Sequence, residues 1–369
     1  MRLGTCIALE LVVAAGAVAG VWVGVSQASR LAGNYLMSSE AVAATSSPSP
    51  PRIPEVPVRL PRATLEISRP VVTPNNVFGA HDDVLLAPLG AAPLTRIKLN
   101  HGGTSLSLRV DFANGSRASF KPEQIHPQSD PRREIAAYRV DRLLGFGRVP
   151  PAKATTFTLD EMIAAADPSR RTYIGERLRD EGLIRRGGLV HGELSWWVPE
   201  IKLAKLGAQP IDDKAGKLLW TSYLQVGATI PAEVRPLVEQ ISALVLFDVL
   251  IDNPDRWSGA NTVMSPDGQI LFFMDNSMSF SKFAFGHHSN LLALRRIQVF
   301  PRKLVARLRE LTLQMLTDSV AVPGLADHGL APLIDDEEIR AILARRDNMM
   351  RYIDQLIEEH GEDTVLAFP

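Results

Sequence analysis

The chain has 369 residues, of which 46% are apolar and 22% are charged. This composition excludes a fibrous or wholly disordered protein. Lys and Arg total 40 and Asp and Glu total 41, whereas a dedicated nucleic-acid binder carries a basic excess. The single cysteine, Cys6, excludes an intramolecular disulfide framework and a cysteine-based zinc cluster. At about 150 residues per domain, the length predicts two domains or one two-lobed unit with extensions.

Residues 1–30 are predicted to lie outside the fold. Residues 3–25 are predominantly apolar, with Glu10 as their single charged residue, and a helix that spans a membrane needs about 20 apolar residues. The segment is therefore either a cleaved signal peptide or an uncleaved membrane anchor. Both alternatives place the rest of the chain on the non-cytoplasmic side, in the periplasm or cell envelope or in a secretory lumen.

Residues 31–75 form a segment rich in Ala, Ser and Pro. Each proline fixes φ and removes a backbone donor, which disfavours helix and central strand. We therefore predict an extended linker that holds the globular part away from a membrane or envelope layer. Within the globular part we expect two lobes, residues 76–200 and residues 201–369.

The first lobe has the pattern of short strands separated by turns. Strands are predicted at 94–99, 105–112, 117–121 and 188–199, with turn signals between the first three. Asp130, as N-cap, and Pro131, at the first helical position, predict a helix that ends at Gly145.

After Glu200 the pattern predicts helices. Residues 236–251 are apolar almost all round, which indicates a buried helix. A hairpin is expected at 261–264 and 269–274, and apolar residues at helical spacing predict a C-terminal helix. A β-rich first half followed by an α-rich second half predicts an α+β fold of two lobes with a cleft between them. That is the shape of a kinase that binds ATP.

Three features of the first lobe are candidates for phosphate binding. The Gly102-Gly103 turn would let backbone N–H groups approach phosphate oxygens, although taken alone it is better explained as a plain hairpin turn. Lys121 ends a predicted strand and could pair with phosphates, or be an ordinary exposed lysine. Glu134 lies in the first turn of a helix, where it either compensates the helix dipole or pairs with Lys121 or a metal ion.

The segment from Asp252 to Asn276 carries the strongest signal. Phosphoryl transfer needs a carboxylate that orients or deprotonates the acceptor hydroxyl, and an amide and a second carboxylate that hold a divalent metal ion. Asp255, Asn261 and Asp275 supply this set across one β-hairpin. The alternative is that Asn253-Pro254-Asp255 is only a turn, since turns favour these residue types.

The ordered motifs of the globular part resemble the secretory-pathway kinases, which include the Golgi casein kinase, the glycosaminoglycan xylosyl kinase and the four-jointed kinase. The resemblance covers about 102–313 and rests on FKP, EIAAYRVDRLLGFGRVPP, WVP, LFDVLIDNPDR and FFMDNSMSF. It implies an atypical kinase fold that uses ATP with Mg²⁺ or Mn²⁺. The lack of further cysteines is more typical of a bacterial-type relative.

The resemblance also implies a role for each matching residue. Lys121 would bind the nucleotide phosphates, and Glu134 would pair with this lysine and contribute to metal binding. Asp255 would orient or deprotonate the acceptor, and Asp275 would bind metal. Asn261 would be a second metal ligand, although it lies one residue further from Asp255 than the pattern expects.

Two departures from the kinase pattern leave alternatives open. Trp257 and Ser258 stand where the casein-kinase-like members carry two His, and Ser277 replaces a glycine after Asp275-Asn276. The leading hypothesis is an ATP-dependent kinase that acts on a hydroxyl of a protein or a glycan, with no nucleic acid as partner and with membrane attachment through the N-terminal segment. The alternatives are a nucleotide-binding pseudokinase of the envelope and a kinase-fold enzyme that transfers AMP. His287 and His288 are expected to be packing or acceptor-site groups.

Overall fold

The computed structural model describes residues 75–100, 105–258 and 260–369, all within one compact unit. The predicted N-terminal segment, the linker up to residue 74 and the turn at Gly102 and Gly103 lie outside the described residues. In the part of the chain that is described, no helix has both the length and the apolar character needed to cross a membrane.

The first lobe is built on an antiparallel sheet with the strand order β1-β2-β3-β6-β4, and β5 pairs with β6. Its elements are α1 (Asp82–Leu86), β1 (Leu94–Leu99), β2 (Leu108–Phe112), β3 (Arg117–Pro122), α2 (Pro131–Leu144), β4 (Ala152–Thr158), α3 (Leu159–Ala165), α4 (Arg171–Glu181), β5 (Ile184–Arg185) and β6 (Leu189–Trp196). In β3, buried and partly buried side chains alternate. Phe120 therefore enters the core of the lobe while Lys121 lies on the opposite face of the sheet.

Helix α2 connects the two lobes. Asp130 caps its first turn by accepting a hydrogen bond from Arg132 N, and Gly145 ends it in the left-handed conformation with φ 70°, as the sequence predicts. Ile135, Ala136 and Val140 of α2 belong to the hydrophobic core of the second lobe. Glu134, in the first turn of the same helix, is thereby held at the junction of the lobes.

The second lobe consists mainly of helices around α6 (Arg235–Ile251), whose side chains are buried on nearly all sides. The other elements are β7 (Lys202–Leu203), β8 (Lys205–Leu206), β9 (Gln209–Pro210), α5 (Lys214–Tyr223), β10 (Val263–Met264), β11 (Leu271–Phe272), α7 (His288–Arg295), α8 (Arg302–Glu310), α9 (Leu313–Val320), α10 (Asp336–His360) and α11 (Glu362–Val365). Strand β10 lies between β11 and β7. Strands β10 and β11 form the predicted hairpin, and they are the next elements after α6 in the chain.

Several predicted element boundaries were wrong. The segment after Glu200 is not helical at once, because Gly207 with φ 60° makes a tight turn between β8 and β9. The two hairpin strands have only two residues each, and the strand expected to begin at 105 begins at Leu108. Helices α3 and α4 were not predicted, and they place two helical segments in the β-rich lobe.

Replacing Leu246 by Ala should lower the free energy of unfolding by about 2–5 kcal/mol, because it leaves a cavity in the core around α6. The Leu246 side chain is fully buried. Urea unfolding followed by circular dichroism measures the effect. The matched control is Leu218→Ala on α5, where the side chain is 65% exposed and a change within about 0.5 kcal/mol is expected. Equal losses for the two variants would contradict this placement of the core.

Candidate active site

Lys121, Glu134 and Asp275 meet where β3 and the start of α2 face the segment after β11. The Lys121 ammonium lies 2.5 Å from Glu134 Oε1 and 2.8 Å from Asp275 Oδ1. The three residues come from β3, from the first turn of α2 and from the segment after β11, respectively. The structure thus brings together three of the residues that the sequence singled out, over separations of up to 154 positions.

The carboxylates favour the charged form of Lys121, and Lys121 favours the charged form of Asp275. Burial by itself would lower the pKa of Lys121, but the attraction of Asp275 and Glu134 outweighs it, so the pKa is raised. In turn, Lys121 lowers the pKa of Asp275. Lysine and aspartate are therefore both ionised at neutral pH, and Asp275 keeps 48% of its side chain exposed to the cleft.

The backbone fixes Asp275 in an unusual conformation. Its φ is 61°, in the left-handed region that few residues other than glycine adopt. Asn276 N donates to Glu134 Oε1 at 2.9 Å, and Ser277 Oγ lies 3.2 Å from Asp275 Oδ1. Backbone conformations of this kind persist only where surrounding contacts impose them, and they concentrate at functional sites.

Asp255 and Asn261 form a second group, which precedes the β10–β11 hairpin in the chain, whereas Asp275 follows it. Asn261 Nδ2 donates to Asp255 Oδ2 at 2.8 Å and to the Asp255 main-chain oxygen at 3.1 Å. Asn261 Oδ1 accepts no hydrogen bond from the described residues, so it remains available to a cation or to water. Within the described residues, no hydrogen bond joins the side chain of either residue to that of Asp275.

Asn253 and Arg256 connect the two groups, and the sequence analysis assigned neither of them a role. Asn253 accepts a hydrogen bond from Asp255 N at 3.1 Å and donates to the Asp275 main-chain oxygen at 3.1 Å. The Arg256 guanidinium, which is fully buried, donates to the main-chain oxygens of Asn261 and Met274. The signal was present, since both residues stand in the NPDR motif that contains Asp255.

Glu193 is a further carboxyl group beside the site that the sequence analysis missed. It lies on β6 directly opposite Lys121 of β3, is buried and accepts a hydrogen bond from Ser195 Oγ at 2.6 Å. Burial raises its pKa to about 8, and the negative charge of Glu134 adds to the rise. Burial thus favours the uncharged form of Glu193, whereas Lys121 favours the ionised form of Asp275. Strand alternation alone gave no sign of it, because polar and apolar residues are mixed in β6 and the position opposite Lys121 depends on the register between β3 and β6.

The two adjacent histidines differ in their contacts, because His287 is half-buried against the buried Asp252 and His288 is exposed. His287 donates from its backbone N to Asp252 Oδ1 at 2.7 Å, and its ring Nδ1 lies 2.8 Å from Asp252 Oδ2. His288, at the start of α7, is exposed. The described residues contain no group of three His, Cys, Asp or Glu side chains arranged to hold a metal ion.

Comparison with known proteins identifies similar kinases. No protein-family model matches the chain. It is 22% identical to the human extracellular serine/threonine protein kinase FAM20C over 77% of this chain, and 23% identical to human glycosaminoglycan xylosylkinase over 82% of each chain. It is also 24% identical to the mouse pseudokinase FAM20A over 76% of this chain. The chain spans 56% of the length of FAM20C and 59% of FAM20A.

The fold agrees with these sequence comparisons. A crystal structure of the Golgi casein kinase with Mn and ADP bound superposes with a TM-score of 0.60 at 19% identity, over 77% of this chain and 78% of that one. A structure of hydra Fam20 with sugar gives a TM-score of 0.57 at 17% identity, over 76% and 90% of the two chains. The predicted α+β kinase-like fold and the resemblance to secretory-pathway kinases are both confirmed.

The uncharged state of Glu193 makes the pH dependence of stability testable. A carboxyl group whose pKa is higher in the folded protein than in the unfolded chain binds more protons when folded, so folding stability falls as the pH rises between the two values. For Glu193 this range is about pH 4.5 to 8. We expect Glu193→Gln to lose less stability than the wild type between pH 5 and pH 8, measured by urea unfolding at both values. Parallel losses in the two proteins would show that Glu193 is ionised throughout.

Proposed function

We propose that this relative of the secretory-pathway kinases is a phosphotransferase that moves the γ-phosphate of ATP to a hydroxyl of a protein or a glycan. The observation that carries the proposal is the ion-paired group of Lys121, Glu134 and Asp275 in the cleft, beside the Asp255–Asn261 pair. The similar proteins support both acceptor classes, since one is a serine/threonine protein kinase and another is a xylosylkinase.

At the nucleotide end, Lys121 would bind phosphate oxygens and Glu134 would hold the lysine in place. Asp275, Glu134 and Asn261 would hold the divalent ion. Carboxylate and amide oxygens are the ligands that Mg²⁺ and Mn²⁺ prefer, and the half-exposed Asp275 carboxylate and the unused Asn261 Oδ1 fit this chemistry. When bound, the ion neutralises charge on the phosphates. The Gly102-Gly103 turn, which lies outside the described residues, is proposed to bind phosphate oxygens through its backbone N–H groups.

At the acceptor end, Asp255 would orient the acceptor hydroxyl and accept its proton on a carboxylate oxygen. The oxygen of the hydroxyl then bonds to the γ-phosphorus, while the bond to the bridging oxygen breaks and ADP leaves. Asn253 would set the relation between the two ends, since its amide bonds to the backbone of Asp255 and of Asp275. Positioning of this kind is the main contribution of proteins to phosphoryl transfer.

We also propose that the chain is divided into the four segments that the sequence predicts. Residues 1–30 would direct the protein to the membrane or the secretory route, 31–75 would act as a linker, and 76–200 and 201–369 would be the two kinase lobes. The similar proteins support a non-cytoplasmic location, since one of them is an extracellular kinase.

The second candidate is a nucleotide-binding pseudokinase, because FAM20A is among the similar proteins and Ser277 replaces a glycine of the kinase pattern. Incubation of the purified protein with γ-labelled or α-labelled ATP, Mn²⁺ and either casein or a β-xyloside tests both candidates. Transfer of the γ-label supports the kinase. Transfer of the α-label would indicate nucleotidyl transfer, and ATP binding without transfer would indicate a pseudokinase.

Asp275→Ala and Asp255→Ala should separate binding from transfer. We expect Asp275→Ala to abolish metal-dependent ATP binding, because it removes a metal ligand. Asp255→Ala should retain binding and lower the rate of transfer by about 10²–10⁴-fold, the range typical of a lost acid–base group. A thermal shift with ATP, with and without Mn²⁺, measures binding, since a ligand at 100 times its dissociation constant adds about 2.7 kcal/mol of stability. Unchanged binding by Asp275→Ala would contradict its metal role.

A further inference from the structure

The Asp255 carboxylate is bracketed by two donors from its own loop. Ser258 Oγ donates to Asp255 Oδ1 and lies 2.8 Å from the Asp255 main-chain oxygen. Asn261 Nδ2 donates to Oδ2 on the other side. A carboxylate has about four acceptor positions, so two donors fix its plane and still leave positions for an acceptor hydroxyl.

Helix α5 and Asp212, which precedes it, contact this loop. Lys217 Nζ donates to the Trp257 main-chain oxygen at 3.1 Å, and the Trp257 ring lies 5.3 Å from that of the buried Trp220. Ala260 N donates to Asp212 Oδ2 at 3.1 Å. These contacts fix the backbone on both sides of Ser258, which is itself exposed.

Ala260 has a backbone conformation that requires support from surrounding contacts. Its φ is 61°, which costs a residue with a side chain about 1–2 kcal/mol. Contacts from α5 and from Arg256 hold the loop in this form. The hydroxyl of Ser258 lies against Asp255 Oδ1, next to residues that are held by these contacts.

We propose that Ser258 is a positioning residue for phosphoryl transfer, which acts by holding the Asp255 carboxylate in the orientation that receives the acceptor hydroxyl. The proposal rests on the proposed function, because it assigns Ser258 a role through Asp255. Without the serine hydroxyl, Asp255 keeps Asn261 as its donor on one oxygen only, and its carboxylate rotates more freely. Among the described residues, no hydrogen bond joins Ser258 to Lys121, Glu134 or Asp275, so we expect ATP binding not to depend on it.

The test uses the full chain and compares Ser258→Ala, Ser258→Thr and the wild type. Transfer of γ-label to casein and to a β-xyloside gives kcat and the KM for ATP. We expect Ser258→Ala to lower kcat about 10- to 100-fold, the scale of a misplaced catalytic group, with the KM for ATP within twofold of the wild type. Ser258→Thr keeps a hydroxyl on Cβ and should restore kcat to within about threefold.

Ser222→Ala is the matched control, because Ser222 is an exposed serine on α5 that donates only to the Leu219 main-chain oxygen. Its kinetic constants should equal those of the wild type. A purely structural role for Ser258 would instead lower the melting temperature and raise the KM for ATP together, and unchanged kcat in Ser258→Ala would refute the positioning role directly. Absence of transfer by the wild type with both acceptors would overturn the proposed function, and the role of Ser258 with it.

Discussion

The candidate active site depends on one buried guanidinium group. Arg256 pairs with Asp248 of α6 at 3.2 Å, donates to Asn276 Oδ1 at 2.7 Å and also reaches the main-chain oxygens of Asn261 and Met274. A single side chain therefore joins the core helix, the loop after Asp255 and the segment that carries Asp275. The planar fork of five donors allows this, and lysine could not replace it.

Such a buried charge contributes more to specificity of structure than to stability. Burial raises the pKa of Asp248, whereas Arg256 opposes the rise. The mutual attraction of two buried charges is largely offset by their loss of hydration, while removal of one partner leaves the other uncompensated at a cost of about 3–5 kcal/mol. The Arg256–Asp248 pair thus favours the one arrangement of the loop in which all the donors of Arg256 find acceptors. Asp252, at the end of α6, stabilises the segment after Asp275 in a similar way. Its carboxylate accepts hydrogen bonds from Ser281, His287 and Asn290.

Much of this arrangement can be predicted from the sequence, because the chain signals it locally. The apolar run of α6, the Asp130 cap and Gly145 identify the two helices that carry the site, and the motifs around Lys121, Glu134 and Asp275 identify their contacts. The bonds of Arg256 and the position of Glu193 depend on register and on distant partners, which residue types alone do not specify. The short strands β7, β8 and β9 were missed because two-residue pairings leave no periodic pattern.

The charges around Lys121 also explain why nucleotide binding should require a metal ion. The lysine contributes one positive charge, and Glu134 and Asp275 contribute two negative charges, which leaves the group at −1. A polyphosphate meets repulsion at such a site unless a divalent cation first reverses the sign. The raised pKa of Glu193 matters here, because an ionised third carboxylate opposite Lys121 would make the group more negative and would compete with the phosphates for the lysine. Burial of Glu193 in the sheet thus keeps Lys121 available to the nucleotide, and the fold of the first lobe and the chemistry of the cleft depend on the same strand.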